Sequence, residues 1–496
     1  MNTYQENFLF INYSRKQFRI LDFTMQFYIG ICNLNILYCV HLLDCVSMRK
    51  TIFKKLEAQG LMANYNRLRK NLPPKLPDRV FIWDETFREG IKAPTVYLTY
   101  VEQVRLAKFM DEAGVAIINV GFPAISEDEK RNVKRIINET FINAKLTASA
   151  EATKNSVNAC LECGVKEITI ESPINGLNLQ YKLKMTKEQA LQKIVENIDY
   201  AKKHGATINF VLMDGTRTPL EDILEVFEAA AEAGATRLAI ADSVGFMRPL
   251  SMRYLMSHIR DGLPDAIRKK VPLSIHCHND FGLGSANTLA AMEEGVQYLH
   301  TCIAGFGERA GIAPFEEVVT ATELLYNIDT GIDMGKIYRL AQSAEKAFAL
   351  PIQFHKPIIG ENIFTHEVEE EVEEMMAQPL LFEPFPPEIV GRETMIFIGR
   401  NTGQTLIQKL LEKAGIRASP RQMDELFRRI KGSQESLDKG EAQMTYYQVK
   451  KLMKDLLKGY TMDEFWRLVE QVTRQKPKLP VATKKQLPQT ADKLVP

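Results

Sequence analysis

The sequence predicts an α/β protein, a parallel (β/α)8 barrel followed by a mostly helical C-terminal module. Three observations predict it. Short apolar runs alternate with amphipathic helical stretches from residue 80 onward, several of those helices stop at glycine just before the next apolar run, and helical periodicity alone remains after residue 404.

The first run is RVFIWD, followed by the helical stretch VEQVRLAKFMDEAG. VAIINVGF and SEDEKRNVKRIINETF repeat the unit, and the runs continue as AKLTASA, KEITIE, TINFVLMD, TRLAIAD, LSIHCHND and YLHTCIAG. Helices end at glycine in DEAGV, LECGV, KKHGA, AEAGA and MEEGV, where a residue without Cβ leaves the helix in the left-handed region at low cost. A doubly wound sheet uses the same local units, but eight repeats favour closure into a barrel. The expected organisation is an N-terminal extension over 1–61, a barrel over 62–345, a linker and lid-like subdomain over 346–403, a helical module over 404–475 and a flexible tail over 476–496. In the helical module, SPRQMDE combines a Ser cap, Pro at the next position and nearby acids, a good helix start.

Composition excludes several classes. With 63 basic against 62 acidic residues the formal net charge is +1, which gives no electrostatic case for a nucleic-acid partner. The seven cysteines show no disulfide spacing, so a reducing, cytoplasmic setting is expected. Residues 27–43 are largely apolar, yet Asn33, Asn35 and His41 interrupt a run already short for a bilayer, and no stable membrane association is expected. Residues 1–61 fit poorly with the regular alternation of the barrel region. They are expected to be accessory, or upstream of a true start at Met48 or Met62.

The chemistry of such a barrel collects where strands end and helices begin. Those ends carry Asp84 through Glu89, Glu171 and Ser172, Asp214 and Arg217, Asp242 and Ser243, and His276, His278 and Asn279. In LSIHCHND, residues two apart on a strand face the same side, so His276 and His278 converge. Groups from the first and seventh strands meet only across the barrel mouth, where one divalent cation can bind three protein ligands and keep positions for substrate oxygens and water.

WDETFREG (83–90), NVGFPAISE (119–127), ADSVGFMRP (241–249), HCHNDFGLGSANTLAAMEEG (276–295) and GFGERAG (305–311) together resemble the 2-isopropylmalate, homocitrate and citramalate synthases. Hydroxymethylglutaryl-CoA lyases are more distant members and the Re-face citrate synthases another branch. KPIIGENIFTHE (356–367) and FEPFPPEIVGRETMIFIGRNTG (382–403) extend the resemblance past the barrel. It implies a metal-dependent TIM barrel that joins acetyl-CoA to a 2-oxo acid, working as a homodimer. Mg²⁺ or Mn²⁺ is the expected ion, with Zn²⁺ or Co²⁺ as further candidates. The metal ligands would be Glu89, His276 and His278, with Arg88 stabilising the developing alkoxide. Ser243, Arg217, Asp214 and Ser172 would contact the substrate, and Lys182 also fits the pattern.

The departures from that pattern matter. Ile312 stands where an Asn ligand is common, Asn119 and Met213 replace acids, and Phe382 replaces a tyrosine. The position of the catalytic histidine holds Glu371, so Glu371 and His366 are both candidates for the base. Asp280 is expected to orient a histidine or cap a helix, and Glu308 and Arg309 to serve the reaction or form a structural ion pair. The expected substrate is oxaloacetate, giving citrate by Re-face attack, ahead of the homocitrate, isopropylmalate and citramalate reactions. A lyase of the hydroxymethylglutaryl-CoA type comes last, because the lyases lack the region matched by 356–403.

Overall fold

The computed structural model describes residues 53–475 apart from 95, 400, 436–438, 457–459 and 461. Most of the expected N-terminal extension, including Met48, and the tail over 476–496 lie outside the described residues. Eight parallel strands close into a barrel: β1 Phe81–Asp84, β2 Ile117–Asn119, β3 Lys145–Glu151, β4 Glu167–Ser172, β5 Thr207–Leu212, β6 Ala235–Asp242, β7 Leu273–Cys277 and β8 Tyr298–Thr301. Closure is made by β1 against β8, with Trp83 opposite His300 and Asp84 opposite Thr301. The (β/α)8 expectation is met in strand number, direction and order.

One long helix follows each strand: α1 Tyr100–Glu112, α2 Glu127–Ile137, α3 Lys154–Glu162, α4 Lys187–Lys203, α5 Leu220–Ala233, α6 Pro249–Gly262, α7 Gly284–Met292 and α8 Phe315–Leu324. Local chemistry sets their starts. Thr99 caps α1 in a reciprocal box with Glu102, and Thr186 does the same for α4 with Gln189. At the other end of α1, Gly114 has φ +92°, and an added Cβ would stand 2.2 Å from the carbonyl oxygen of Gly331. Only glycine satisfies that position, which brings the chain back to β2.

The core lies between strands and helices, where Ile82, Ile118, Ile168, Phe210, Phe227 and Met256 are fully buried. The barrel's interior is more polar. Glu85, Asn119, Ser149, Glu171, His276 and His300 are all buried, and this polarity prepares the site.

Beyond the barrel come α9 Ile337–Phe348, the short parallel pair β9 Thr365–His366 and β10 Met395–Ile396, and α10 Glu369–Ala377. Arg392 ties this stretch together. Its guanidinium donates to the carbonyls of Gly360 and Glu361 and lies over the rings of Tyr338 and Phe364, 4.5 and 5.5 Å from their centroids. Lys356 does similar work nearer the barrel, 2.6 Å from Glu317 and 3.5 Å from buried Glu316. The acidic helix α10 is not a bare solvated face: Val372 and Met375 pack with Leu406. Glu369 accepts the N–H of Leu406, and Glu373 pairs with Lys409 at 2.6 Å.

α11 Gln404–Lys413 and α12 Pro420–Glu435 follow. At the start of α12 Ser419 donates from its N–H and hydroxyl to Gln422, and Pro420 opens the helix. Two compact units divide between Ser436 and Leu437, and the second contains α13 Lys439–Leu456 and α14 Met462–Thr473. Among the described residues no helix is long and apolar enough to cross a membrane.

Candidate active site

The segment after β1 delivers two carboxylates and a guanidinium to the mouth because the chain turns immediately after Asp84. The N–H groups of Arg88, Glu89 and Gly90 all bond to the carbonyl of Glu85, so the segment coils into one tight turn. That turn aims Glu85, Arg88 and Glu89 at the barrel axis. β7 ends at Cys277, and His278 is held just beyond it by a backbone bridge to Ile312.

Arg88 is the hub. Its Nη1 donates to Glu89 Oε2 at 2.5 Å, its Nη2 to Glu171 Oε2, and its Nε lies 3.9 Å from Glu85 Oε2. Burial disfavours its charge, but the three carboxylates outweigh burial and hold it firmly protonated. Lys92, one-third exposed, adds a second cation 3.0 Å from Glu89 Oε2.

The carboxylates respond differently. Burial pushes Glu85 up to about 8, against the opposing pull of Arg88. Burial also disfavours charge on Glu89, but Arg88, Lys92 and His278 together hold its carboxyl below the ordinary value. Burial, reinforced by neighbouring positive groups, keeps His276 well below its usual value, and it lowers His278 too despite Glu89. A charged carboxylate beside two neutral imidazoles is the protonation state that metal ligation requires.

The donors fit an ion. Ligand atoms of Glu89, His276 and His278 lie within 4.8 Å of one another. His278 Nε2 is 3.8 Å from Glu89 Oε1, and that Oε1 is buried with no hydrogen-bond partner. An unsatisfied buried carboxylate oxygen is costly unless something binds it. The residues present therefore fit a divalent cation. Ile312 contributes only backbone there, its side chain wholly buried.

Around this set opens a small cleft of about 70 Å³, lined among others by Met213, Ser243 and Glu308. Ser243 reaches the cleft while its hydroxyl accepts the N–H of Asp214. The other expected substrate contacts are not brought there. Asp214 takes both bonds of Arg217, at 2.7 and 2.8 Å, and accepts two Asn side chains, Asn175 and Asn178. Those bonds engage the Asp214 carboxylate and the Nε and Nη2 of Arg217. Ser172 is buried and donates to the Pro173 carbonyl, and Lys182 is exposed on the following turn. Asp280 neither orients a histidine nor caps a helix, since it pairs with Arg309 at 2.8 Å; Arg309 also meets Glu308 at 3.3 Å.

The two candidate bases lie elsewhere in the chain. His366 is 3.6 Å from Glu383, and Glu371 is half-buried on the first turn of α10; neither lines the cleft. Two of the cleft's ionisable residues were not singled out from sequence. Lys92 could have been found from its place three residues after Glu89 on a single turn. His300 could have been found from strand alternation, since β8 closes directly onto β1.

Comparison with known proteins gives a consistent picture. Residues 79–343 match the family model described as HMGL-like, and residues 358–438 match the one described as homocitrate synthase post-HMGL domain-like. A 2-isopropylmalate synthase of Methanocaldococcus jannaschii is 38% identical over 360 residues, 72% of this chain and 68% of that protein. A homocitrate synthase of Methanothermobacter thermautotrophicus is 36% identical over 367 residues, covering 74% and 91%. A putative (R)-citramalate synthase of Methanopyrus kandleri is 38% identical over 355 residues, covering 72% and 69%.

Proposed function

Since the chain belongs to the HMGL-like family, a family of acyl-CoA-condensing transferases, we propose that it joins acetyl-CoA to a 2-oxo acid by a Claisen-type condensation and releases CoA. The observation that carries this reading is the Glu89–His276–His278 set with Arg88 beside it at the mouth of a closed barrel. Those three residues would hold a divalent ion, Mg²⁺ or Mn²⁺ first, which would supply Lewis acidity toward the 2-oxo group. Arg88 stabilises negative charge as it grows on the carbonyl oxygen, its guanidinium held rigid by Glu85, Glu89 and Glu171. Ser243, at the cleft wall, is the residue for the substrate carboxylate.

For the 2-oxo acid we favour a dicarboxylate of the 2-oxoglutarate type, giving homocitrate. Support comes from the match of 358–438 to the homocitrate-type domain and from Lys92, whose ammonium adds a positive charge at the mouth for a second carboxylate. The branch expected from the sequence, oxaloacetate to citrate, is not favoured: the relatives named above are isopropylmalate, homocitrate and citramalate synthases, and those reactions stand ahead of it. The methyl proton of acetyl-CoA goes to a base on the post-barrel segment, Glu371 or His366. His366 faces the buried carboxylate of Glu383 at 3.6 Å. A homodimer is part of this reading. It is supported by the four consecutive exposed apolar residues Met395, Ile396, Phe397 and Ile398, a patch suited to burial against a second copy.

The test is release of free thiol from acetyl-CoA with 2-oxoglutarate, oxaloacetate, 2-oxoisovalerate and pyruvate in turn. Preference for 2-oxoglutarate is expected. Preference for another acid overturns the substrate assignment, and no release with any acid overturns the condensation itself.

A further inference from the structure

Three loops at the barrel mouth meet on one side chain. Arg309, on the loop after β8, donates from Nε and Nη2 to the two oxygens of Asp280, at 2.8 and 3.2 Å, on the loop after β7. The same Nη2 donates to the carbonyl of Ser243, 2.7 Å away on the loop after β6. Those two loops already touch, since a Cβ on Gly245 would stand 2.8 Å from the N of Asp280 and 2.9 Å from the carbonyl oxygen of His278. The guanidinium therefore bridges a seam between adjoining backbones. Arg309 does so with φ +59°, a left-handed conformation that residues with a side chain seldom keep unless their surroundings impose it. Arg309 itself does not line the cleft, whereas Ser243 does.

We propose that Arg309 is a positioning residue for the oxo-acid carboxylate, acting through Ser243. Ser243 is gripped at both ends. Its carbonyl accepts from Arg309, and its hydroxyl oxygen accepts the N–H of Asp214 at 2.8 Å. A serine hydroxyl has one proton to donate besides its lone pairs, so accepting from Asp214 leaves that proton for a carboxylate in the cleft. The grip on the carbonyl needs a fork that binds Asp280 through two N–H groups and still reaches a third acceptor, a geometry that a lysine ammonium does not fix. Arg309 thereby sets where the backbone of Ser243 stands. Its effect falls on binding of the oxo acid and not on the bond-making step.

The inference rests on the assignment of Ser243 to the substrate carboxylate, and two measurements on the full-length chain separate it from the condensation. Arg309→Gly removes the guanidinium while suiting the left-handed backbone. It is expected to raise KM for the oxo acid by about 10-fold or more, the loss of a hydrogen bond from a charged group. kcat and KM for acetyl-CoA should stay within about threefold. Made in Ser243→Ala protein, the same change should alter KM by less than about twofold, because the residue acts through Ser243. Arg309→Lys, which keeps a positive charge beside Glu308, should recover KM only in part, and it replaces Arg309→Gly if that variant does not fold. Hydrogen exchange of substrate-free protein needs no turnover: residues 243–247 should exchange faster in Arg309→Gly, and the loop after β2 at an unchanged rate. An unchanged KM, an equal loss in Ser243→Ala protein, full recovery by lysine, or unchanged exchange over 243–247 each overturn the proposal. If the unaltered chain releases no thiol with any oxo acid, the condensation fails, and exchange alone decides whether Arg309 holds Ser243.

Discussion

The Nε2 of His278 lies 3.8 Å from the Oε1 of Glu89, too far for a hydrogen bond and close enough for one ion to touch both. The carboxylate arrives on the turn after the first strand and the imidazole just past the seventh, so closure of the barrel creates the pair. Removing the ion should abolish turnover. Chelation is expected to stop thiol release, and Mn²⁺ add-back to restore it. His278→Ala should require far more Mn²⁺ for half-activation, read from the activation curve. Full activity in metal-free protein would count against the whole site.

Arg88 touches three carboxylates, and lysine cannot span them because its ammonium is a point charge without the planar fork. Arg88→Lys is expected to lower kcat by about 10²- to 10³-fold, the usual loss when a donor to a developing oxyanion is removed. KM for the oxo acid should move much less. Steady-state kinetics separate the two, and an unchanged kcat would exclude the assigned role.

Burial pushes Glu316 up to about 7, and Lys356 pulls only partly the other way. A carboxyl whose folded value exceeds its unfolded value of about 4.5 contributes stability that is complete below that lower value and fades as pH rises toward 7. The shift corresponds to about 3 kcal/mol. Glu316→Gln should therefore flatten the fall of unfolding free energy between about pH 4.5 and 7, measured by urea unfolding at several pH values. An unaltered slope would disprove the assignment.

Gly114→Ala should destabilise the barrel by about 1–3 kcal/mol or more, since it combines a φ of +92° with a Cβ 2.2 Å from the Gly331 carbonyl oxygen. Gly205→Ala provides the comparison. It has a similar φ of +83°, but no atom lies within 4 Å of the added carbon, so its loss should be smaller. Urea midpoints at constant m-value decide between strain alone and strain with collision.

The base is tested by exchange of acetyl-CoA methyl protons. Glu371→Gln or His366→Ala should lose exchange and turnover together, whichever residue carries the role. Normal exchange in both variants would remove the post-barrel segment from the proton-transfer step.

The barrel was legible because its signals are local and repeated. Apolar runs, capping residues such as Thr99 and Thr186, and exit glycines such as Gly114 each determine their own element. The metal-ligating types were legible because period-two alternation puts His276 and His278 on one side. The loop after β5 was not. Asp214 and Arg217 are expected to contact the substrate, and they also pair with each other while Asn175 and Asn178 donate to Asp214, partners set by side-chain geometry that spacing does not encode. His300 was missed because its importance depends on which strands become neighbours when the sheet closes. The partners of the acidic run over 369–373 were not legible either: Glu369 and Glu373 are engaged by α11, more than thirty residues away.

Arg392 fastens two stretches of chain that sequence separates: its guanidinium holds the carbonyls of Gly360 and Glu361, and β9 lies alongside β10 from the same two stretches. A cut in the backbone between residues 367 and 391 would therefore sever the polypeptide without releasing its ends. The fragments would remain docked through that clasp and through the stacking of Arg392 on Tyr338 and Phe364. Connectivity across this region is thus dispensable in a way that the guanidinium is not, and the chain could be reopened there with new termini while the His366 segment kept its anchorage.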